Sequence, residues 1–278
     1  MADQQNNAPI SAQEHTPKLS GLQNWLNNLG RGFERHWLAI FNGLWGVFVT
    51  MPFVAPILMA IGLTTPARGI YFIYNFFCHQ LPERSWFLFG PQFSYTKEQI
   101  GEAFCKYPTE QAWFPFSTQL NINPEQLVTA CQYPLNAISS EIVRRQFIGT
   151  PDLGWKVTWS DRMVSMYTSI FIFGVIYAIL KRYGFRFNPL HWALFLLLIV
   201  PLAVDGTTHL ITDALRLEFR NTNAWAAILT GSVFAPDFYA GDALGSINSW
   251  LRIISGLLFG FGVVGFLWPI MDDEFQGK

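Results

Sequence analysis

Residues 78–85 run Cys-His-Gln-Leu-Pro-Glu-Arg-Ser and bring a thiol (Cys78), an imidazole (His79) and a guanidinium (Arg84) into one short stretch. Pro82 ends or bends the helix before it, because it lacks an N–H and crowds the preceding residue. Further along, Asp161 and Arg162 are adjacent, Asp205 and His209 are four residues apart, and so are Asn248 and Arg252. A four-residue spacing puts two side chains on one helix face, and Asp213, Arg216 and Arg220 extend the stripe begun by Asp205. His79, Asp205 and His209 would make a two-imidazole, one-carboxylate donor set, which suits a divalent metal such as zinc or iron with open positions for activating water. Arg84, Arg162 and Arg252 carry the planar fork that grips an anionic head group in bidentate fashion. The same residues also admit a purely structural use. Arg162 can pair with Asp161 or Asp205, and Asn248 and Arg252 can cap helix ends, which orders a bundle without chemistry.

The elements that hold these residues are set by composition. The 278-residue chain is 51% hydrophobic and 13% charged, where a soluble domain carries about 25% charged residues. Crossing a hydrocarbon core of about 30 Å takes about 20 apolar residues. Four stretches qualify, giving spans at about 37–63, 163–180, 187–205 and 250–271. The first contains Pro52 and Pro56, whose freed carbonyls need other donors. Two shorter apolar runs, Ile70 to Cys78 and Ala224 to Ala235, suit re-entrant or interfacial helices. The expected fold is an all-α membrane protein: a bundle of about four transmembrane helices, one or two such short helices, and a helical external loop. Residues 1–35 read as a cytoplasmic tail without a secretory signal. Its Leu19, Leu22, Trp25, Leu26, Leu29 and Phe33 recur at helical spacing, as in an interfacial amphipathic helix. Residues 36–278 then form one membrane domain.

Orientation follows from basic residues near span ends. Arg31 and Arg35 precede the first span, and Lys181, Arg182 and Arg186 lie between the second and third, so these segments and both termini belong in the cytoplasm. The insertion 91–160 then lies outside, and the polar residues named above gather at the outer leaflet. Ionisable groups at that depth are functional candidates by default. Asn123, Pro124, Glu125 and Gln126 read as the start of a helix carrying Cys131, and Lys97 to Tyr107 as a helix carrying Cys105. A Cys105–Cys131 bridge would fit an oxidising exterior, and two buried free thiols are the other reading. Gly256-x-x-x-Gly260 is a small-residue face for close helix contact, within the bundle or in a homo-oligomer. A net charge of −1 excludes the basic field that nucleic-acid binding needs.

Four stretches together resemble the domain-of-unknown-function 2085 family of prokaryotic membrane proteins. They are Cys78-His79-Gln80-x-Pro82-x-Arg84-Ser85, Arg162 with Tyr167, Pro201-x-x-x-Asp205-Gly206, and Ser246-x-Asn248-x-x-Leu251-Arg252-x-x-x-Gly256. The resemblance runs from about Tyr71 to Pro269, interrupted by the long loop and by Arg216 to Ala243. It implies an integral membrane protein and no established activity; the expected location is the cell (inner) membrane, crossed several times. Two departures stand out: Ser160 occupies the place of a cysteine in a Cys-x-Arg element, and His209 that of a frequent glutamine. The first weakens any redox pair or thiolate site built on Cys78. The expected function is that of an accessory or structural subunit, whose partners are the bilayer and either complex subunits or further copies. The alternative is a metal-dependent enzyme, or a protein binding anionic lipid or a small molecule in the polar cavity.

Overall fold

The computed structural model describes residues 21–106, 131, 141–215 and 217–275. The chain divides into two units, 1–37 and 38–278. Four described helices are long and apolar enough to cross a membrane: α1 (Gly21–Ala60), α5 (Asp161–Arg182), α6 (Trp192–Leu215) and α10 (Ile247–Phe275). Shorter helices lie between them: α2 (Thr64–Tyr74), α3 (Lys97–Lys106), α4 (Glu141–Gln146), α7 (Phe219–Thr222), α8 (Ala224–Leu229) and α9 (Pro236–Tyr239). The amphipathic segment expected before the first span forms the opening turns of α1, with Leu22, Trp25, Leu26, Leu29 and Phe33 exposed along it. Leu19 and the capping residues 123–126 lie outside the described residues.

Each proline inside a spanning helix leaves one carbonyl without its usual donor, and two of these find one elsewhere. Pro52 cannot bond Phe48, whose carbonyl instead accepts the Tyr74 hydroxyl at 2.7 Å. Pro269 cannot bond Gly265, whose carbonyl accepts the Leu190 N–H at 3.1 Å. In both cases the exception to helix geometry fastens a neighbouring segment.

The Gly256-x-x-x-Gly260 face serves the bundle interior, where α10 meets α5. A methyl group at Gly260 would come within 1.9 Å of Ser169 Oγ and 2.9 Å of the Ile170 backbone nitrogen. That close approach lets Ser165 donate to the Ile253 carbonyl at 2.5 Å and Ser169 to the Gly256 carbonyl at 3.1 Å. Hydroxyl-to-carbonyl bonds of this kind hold helices together where no hydrophobic force can act between them. Further along α5, Asn42 of α1 donates to the Gly174 carbonyl at 3.1 Å.

A small sheet departs from the expectation of a purely helical external loop. Strands β1 (Ser85–Leu88), β2 (Gly149–Thr150) and β3 (Gly154–Ser160) pair antiparallel in the order β1-β3-β2. Ser85 lies opposite Ser160, Phe87 opposite Lys156, and Thr150 opposite Gly154. β3 is rich in the β-branched and aromatic residues that favour strands, here Val157, Thr158 and two tryptophans. Its first residue, Gly154, has φ +77°, and a side chain there would strike the Leu88 carbonyl. Phe87, Ile100, Phe104 and Phe147 build a core between the sheet and α3, and the Cys105–Cys131 disulfide, with Cα atoms 5.4 Å apart, borders it. Because β3 passes into α5 without a linker, the sheet sets where Asp161 begins its helix.

Candidate functional site

Six segments deliver charged and polar side chains to one end of α5, α6 and α10. A single turn at Pro82–Arg84 supplies Arg84. The start of α5 supplies Asp161 and Arg162, and α6 supplies Asp205, His209 and Asp213 from successive turns of one face. α7 and the loop that follows α9 bring in Arg220 and Asp242, and the first turns of α10 bring Asn248, Ser249 and Arg252.

Arg252 is 1% exposed and is the centre of the arrangement. Its Nε and Nη2 donate to the two oxygens of Asp161 at 2.6 and 2.8 Å. Its Nη1 donates to Asp242 Oδ1 at 2.8 Å, and Nη2 also reaches the Asp242 carbonyl at 2.5 Å. Ser249 adds a hydroxyl to Asp161 at 2.9 Å. The other oxygen of Asp242 accepts Arg84 Nε at 2.9 Å, and Arg84 Nη2 continues to Asp213 at 3.2 Å. Burial alone would raise the Asp242 carboxyl, but Arg84 and Arg252 outweigh it and hold it far below the usual carboxylate range. Burial likewise opposes the charge of Arg84, and Asp242, Asp213 and Glu83 more than offset it.

A second cluster adjoins the first. Arg162 donates to Asp205 Oδ2 from Nε at 3.0 Å and Nη2 at 2.6 Å, while Arg220 Nη2 reaches Asp205 Oδ1 at 2.5 Å. His209 Nε2 stands 3.0 Å from the same Arg220 nitrogen and 3.7 Å from Asp205 Oδ1. Asn223, whose φ of +44° turns the chain between α7 and α8, donates to the Arg220 and Tyr239 carbonyls at 3.0 and 2.8 Å. Asn248 donates to the Arg220 and Gly241 carbonyls at 2.6 and 2.9 Å. The two asparagines therefore tie the turn carrying Arg220 and the loop carrying Asp242 to α10. Buried charges persist only where pairing and hydrogen bonds compensate lost hydration, and here each buried carboxylate has two guanidinium or hydroxyl partners at least.

Of the residues singled out in the sequence, Arg84, Asp161, Arg162, Asp205, His209, Asn248 and Arg252 converge. Cys78 and His79 do not join them. The Cys78 thiol is buried beside β3, accepting the N–H groups of Gln80 at 3.3 Å and Ser160 at 3.4 Å, and His79 is exposed. Cys78 Sγ and Ser160 Oγ are 3.6 Å apart, so the position that lacks the expected thiol is the one Cys78 touches. The proposed metal trio of His79, Asp205 and His209 is not assembled: both oxygens of Asp205 are taken by arginines, and among the described residues no group of three His, Cys, Asp or Glu side chains could hold a metal ion. Arg220 reaches Asp205 from α7 rather than along the α6 stripe, because α6 ends at Leu215. Asp242 and Asn223 went unnoticed in the sequence, where they flank the apolar run Ala224 to Ala235 within a stretch that reads as an insertion.

No curated protein and no solved structure matches the chain. A family model described as a predicted membrane protein matches residues 152–266, which carry Asp161, Arg162, Asp205, Asp242 and Arg252 and leave the Cys78 to Ser85 element outside. Over those residues, which hold three of the four helices fit to span a membrane and the polar network at one end of them, the chain is similar to the DUF2085 family of predicted membrane proteins.

Proposed function

We propose that this protein is an accessory or structural subunit of a complex in the cell (inner) membrane, with the arginine–aspartate network acting as a clamp at the outer leaflet. The observation that carries this reading is the saturation of Arg252 and Asp205: the first commits Nε, Nη1 and Nη2 to Asp161 and Asp242, and the second accepts two arginines. An anionic head group would have to displace a carboxylate from these donors, and a metal ion would have to displace guanidinium groups from Asp205. Carboxylates and guanidinium groups committed to one another in this way favour shape over turnover. Ile228, Leu229 and Val233, in and after the short helix α8, are 79, 78 and 77% exposed and offer an apolar surface to a neighbouring subunit. The orientation rests on the disulfide, which persists in an oxidising compartment, and on Lys181, Arg182 and Arg186 at the opposite helix ends. Native purification in mild detergent tests the proposal. A foreign subunit recovered in stoichiometric amount is the expected outcome, and a clean monomer or a homo-oligomer without such a subunit overturns it.

A further inference from the structure

The first turns of α1 carry a surface of another kind. From Gly21 to His36 every residue of the helix is exposed, and Leu22, Leu26, Leu29 and Phe33 follow one another at steps of four, three and four residues. That alternation is the seven-residue repeat of a coiled-coil seam, which keeps one line of side chains facing a partner helix. The three leucines are 67, 51 and 52% exposed.

The rest of the segment says what covers them. A helix lying on a lipid surface carries Lys and Arg along its polar face. Here the face opposite the seam presents Asn24, Asn27 and Asn28, and the charged residues Arg31, Glu34 and Arg35 nearly cancel. The positions that flank the seam on either side are Gln23, Trp25, Gly30 and Gly32, none of them charged. Two identical helices meeting along this line therefore bring no like charges together, which a seam edged with one sign of charge would do. The glycines point the same way. Both lie inside a helix, where glycine is costly, and a Cβ at either would meet nothing within 4 Å, so the single chain gives them no packing role. Across a seam, their missing side chains let a second backbone come close. A helical stretch with two glycines and three asparagines holds its shape poorly alone and draws its stability from packing its apolar face.

We propose that Leu22, Leu26, Leu29 and Phe33 form the seam of a parallel homodimer, in which the partner is a second copy of this chain. α1 is one helix from Gly21 to Ala60, so two copies inserted alike into a bilayer present these segments in the same direction about a two-fold axis. Each seam residue then faces its own counterpart. The dimer goes beyond the foreign-subunit reading and does not depend on it. Disulfide crosslinking of the full chain in isolated membranes, driven by copper phenanthroline, tests it. The parent chain sets the background, because Cys78 is buried and Cys105 and Cys131 are bonded to each other. Leu26→Cys and Leu29→Cys are expected to give about fivefold more crosslinked dimer than Asn24→Cys and Asn28→Cys on the opposite face. Adding Leu29→Asp to the Leu26→Cys chain should lower that yield about threefold, because the charge would be buried against its own copy. Equal yields on the two faces, no crosslink at either leucine, or a product that joins this chain to a different protein overturns the proposal. A foreign subunit recovered without the seam crosslink removes the dimer and leaves the subunit reading standing, and a seam crosslink with no foreign subunit does the reverse.

Discussion

The two ends of the α5, α6 and α10 helices are held in different ways. At one end, four arginines meet Asp161, Asp205 and Asp242, drawn from segments as far apart in sequence as Arg84 and Arg252. At the other, one carboxylate, Asp272, accepts the Tyr177 hydroxyl at 2.7 Å and Lys181 Nζ at 2.6 Å. The second end needs little more, because residues 183–191 join α5 to α6 directly and the Leu190 N–H fastens that connection to α10. At the first end the chain leaves the helices for long excursions, and each return has to be fixed by side chains. Paired charges do this with directionality that apolar contacts lack, since a misplaced segment would bury an unpaired ion.

The sharpest test of that contrast removes one carboxylate from each end. Asp161→Asn leaves the Arg252 guanidinium, 1% exposed, with Asp242 as its remaining anion. Breaking a buried pair from one side costs about 3–5 kcal/mol, which lowers the midpoint of thermal unfolding by roughly 6–20 °C for a chain of this size. Thermal unfolding in detergent, followed by tryptophan fluorescence, measures it. A shift no larger than that of Asp272→Asn would erase the distinction between the ends.

How much of this was legible beforehand follows from what each feature depends on. The four spans were, because bilayer thickness imposes a length that composition alone reveals. The face shared by Asp205 and His209 was too, because it is a local property of one helix. The pairing was not. Asp161 and Arg162 are neighbours in sequence, yet successive residues on a helix point about 100° apart, so Asp161 turns to Arg252 while Arg162 turns to Asp205. Asp242 and Arg220 matter only because short helices and turns fold back over the bundle, a tertiary fact with no periodic signature. The sheet was missed for a related reason: strands of two to seven residues stabilise one another only once paired, and residue 85 lies far from its partner 160.

The sheet layer adds a second asymmetry, in pH dependence. Lys156 is fully buried at the strand that leads into α5, its Nζ donating to the Gln80 and Arg145 carbonyls at 2.5 and 3.3 Å. Burial pushes its pKa down from 10.5 to about 7, with Cys78 and Glu83 opposing the shift. Between about pH 7 and 10.5 the unfolded chain therefore holds a proton that the folded chain lacks, so stability rises with pH across that window. The slope approaches about 1.4 kcal/mol per pH unit in mid-window and vanishes below it. Unfolding midpoints of the wild type and Lys156→Met, compared from pH 6 to 10, isolate this contribution. The difference between the two curves should change with pH only above about 7, and parallel curves would show that Lys156 is charged in the folded protein.

The smallest effects belong to the opposite end. Tyr177→Phe removes one donor from Asp272 but leaves Lys181, whose side chain is 31% exposed and can lengthen its reach toward water without losing its partner. Asp272→Asn removes the anion, and Lys181 then turns to solvent on its flexible stem. Each change should cost about 1 kcal/mol, in the range of a single hydrogen bond or a partly exposed ion pair. The two should also be strongly non-additive, because both act on the same carboxylate. The double variant measured against the singles decides this: near-equality of the double with Asp272→Asn alone is expected. A double variant costing as much as Asp161→Asn would mean that Asp272 anchors its end as the arginine lattice anchors the other, and that the short connection after α5 does not hold the helices by itself.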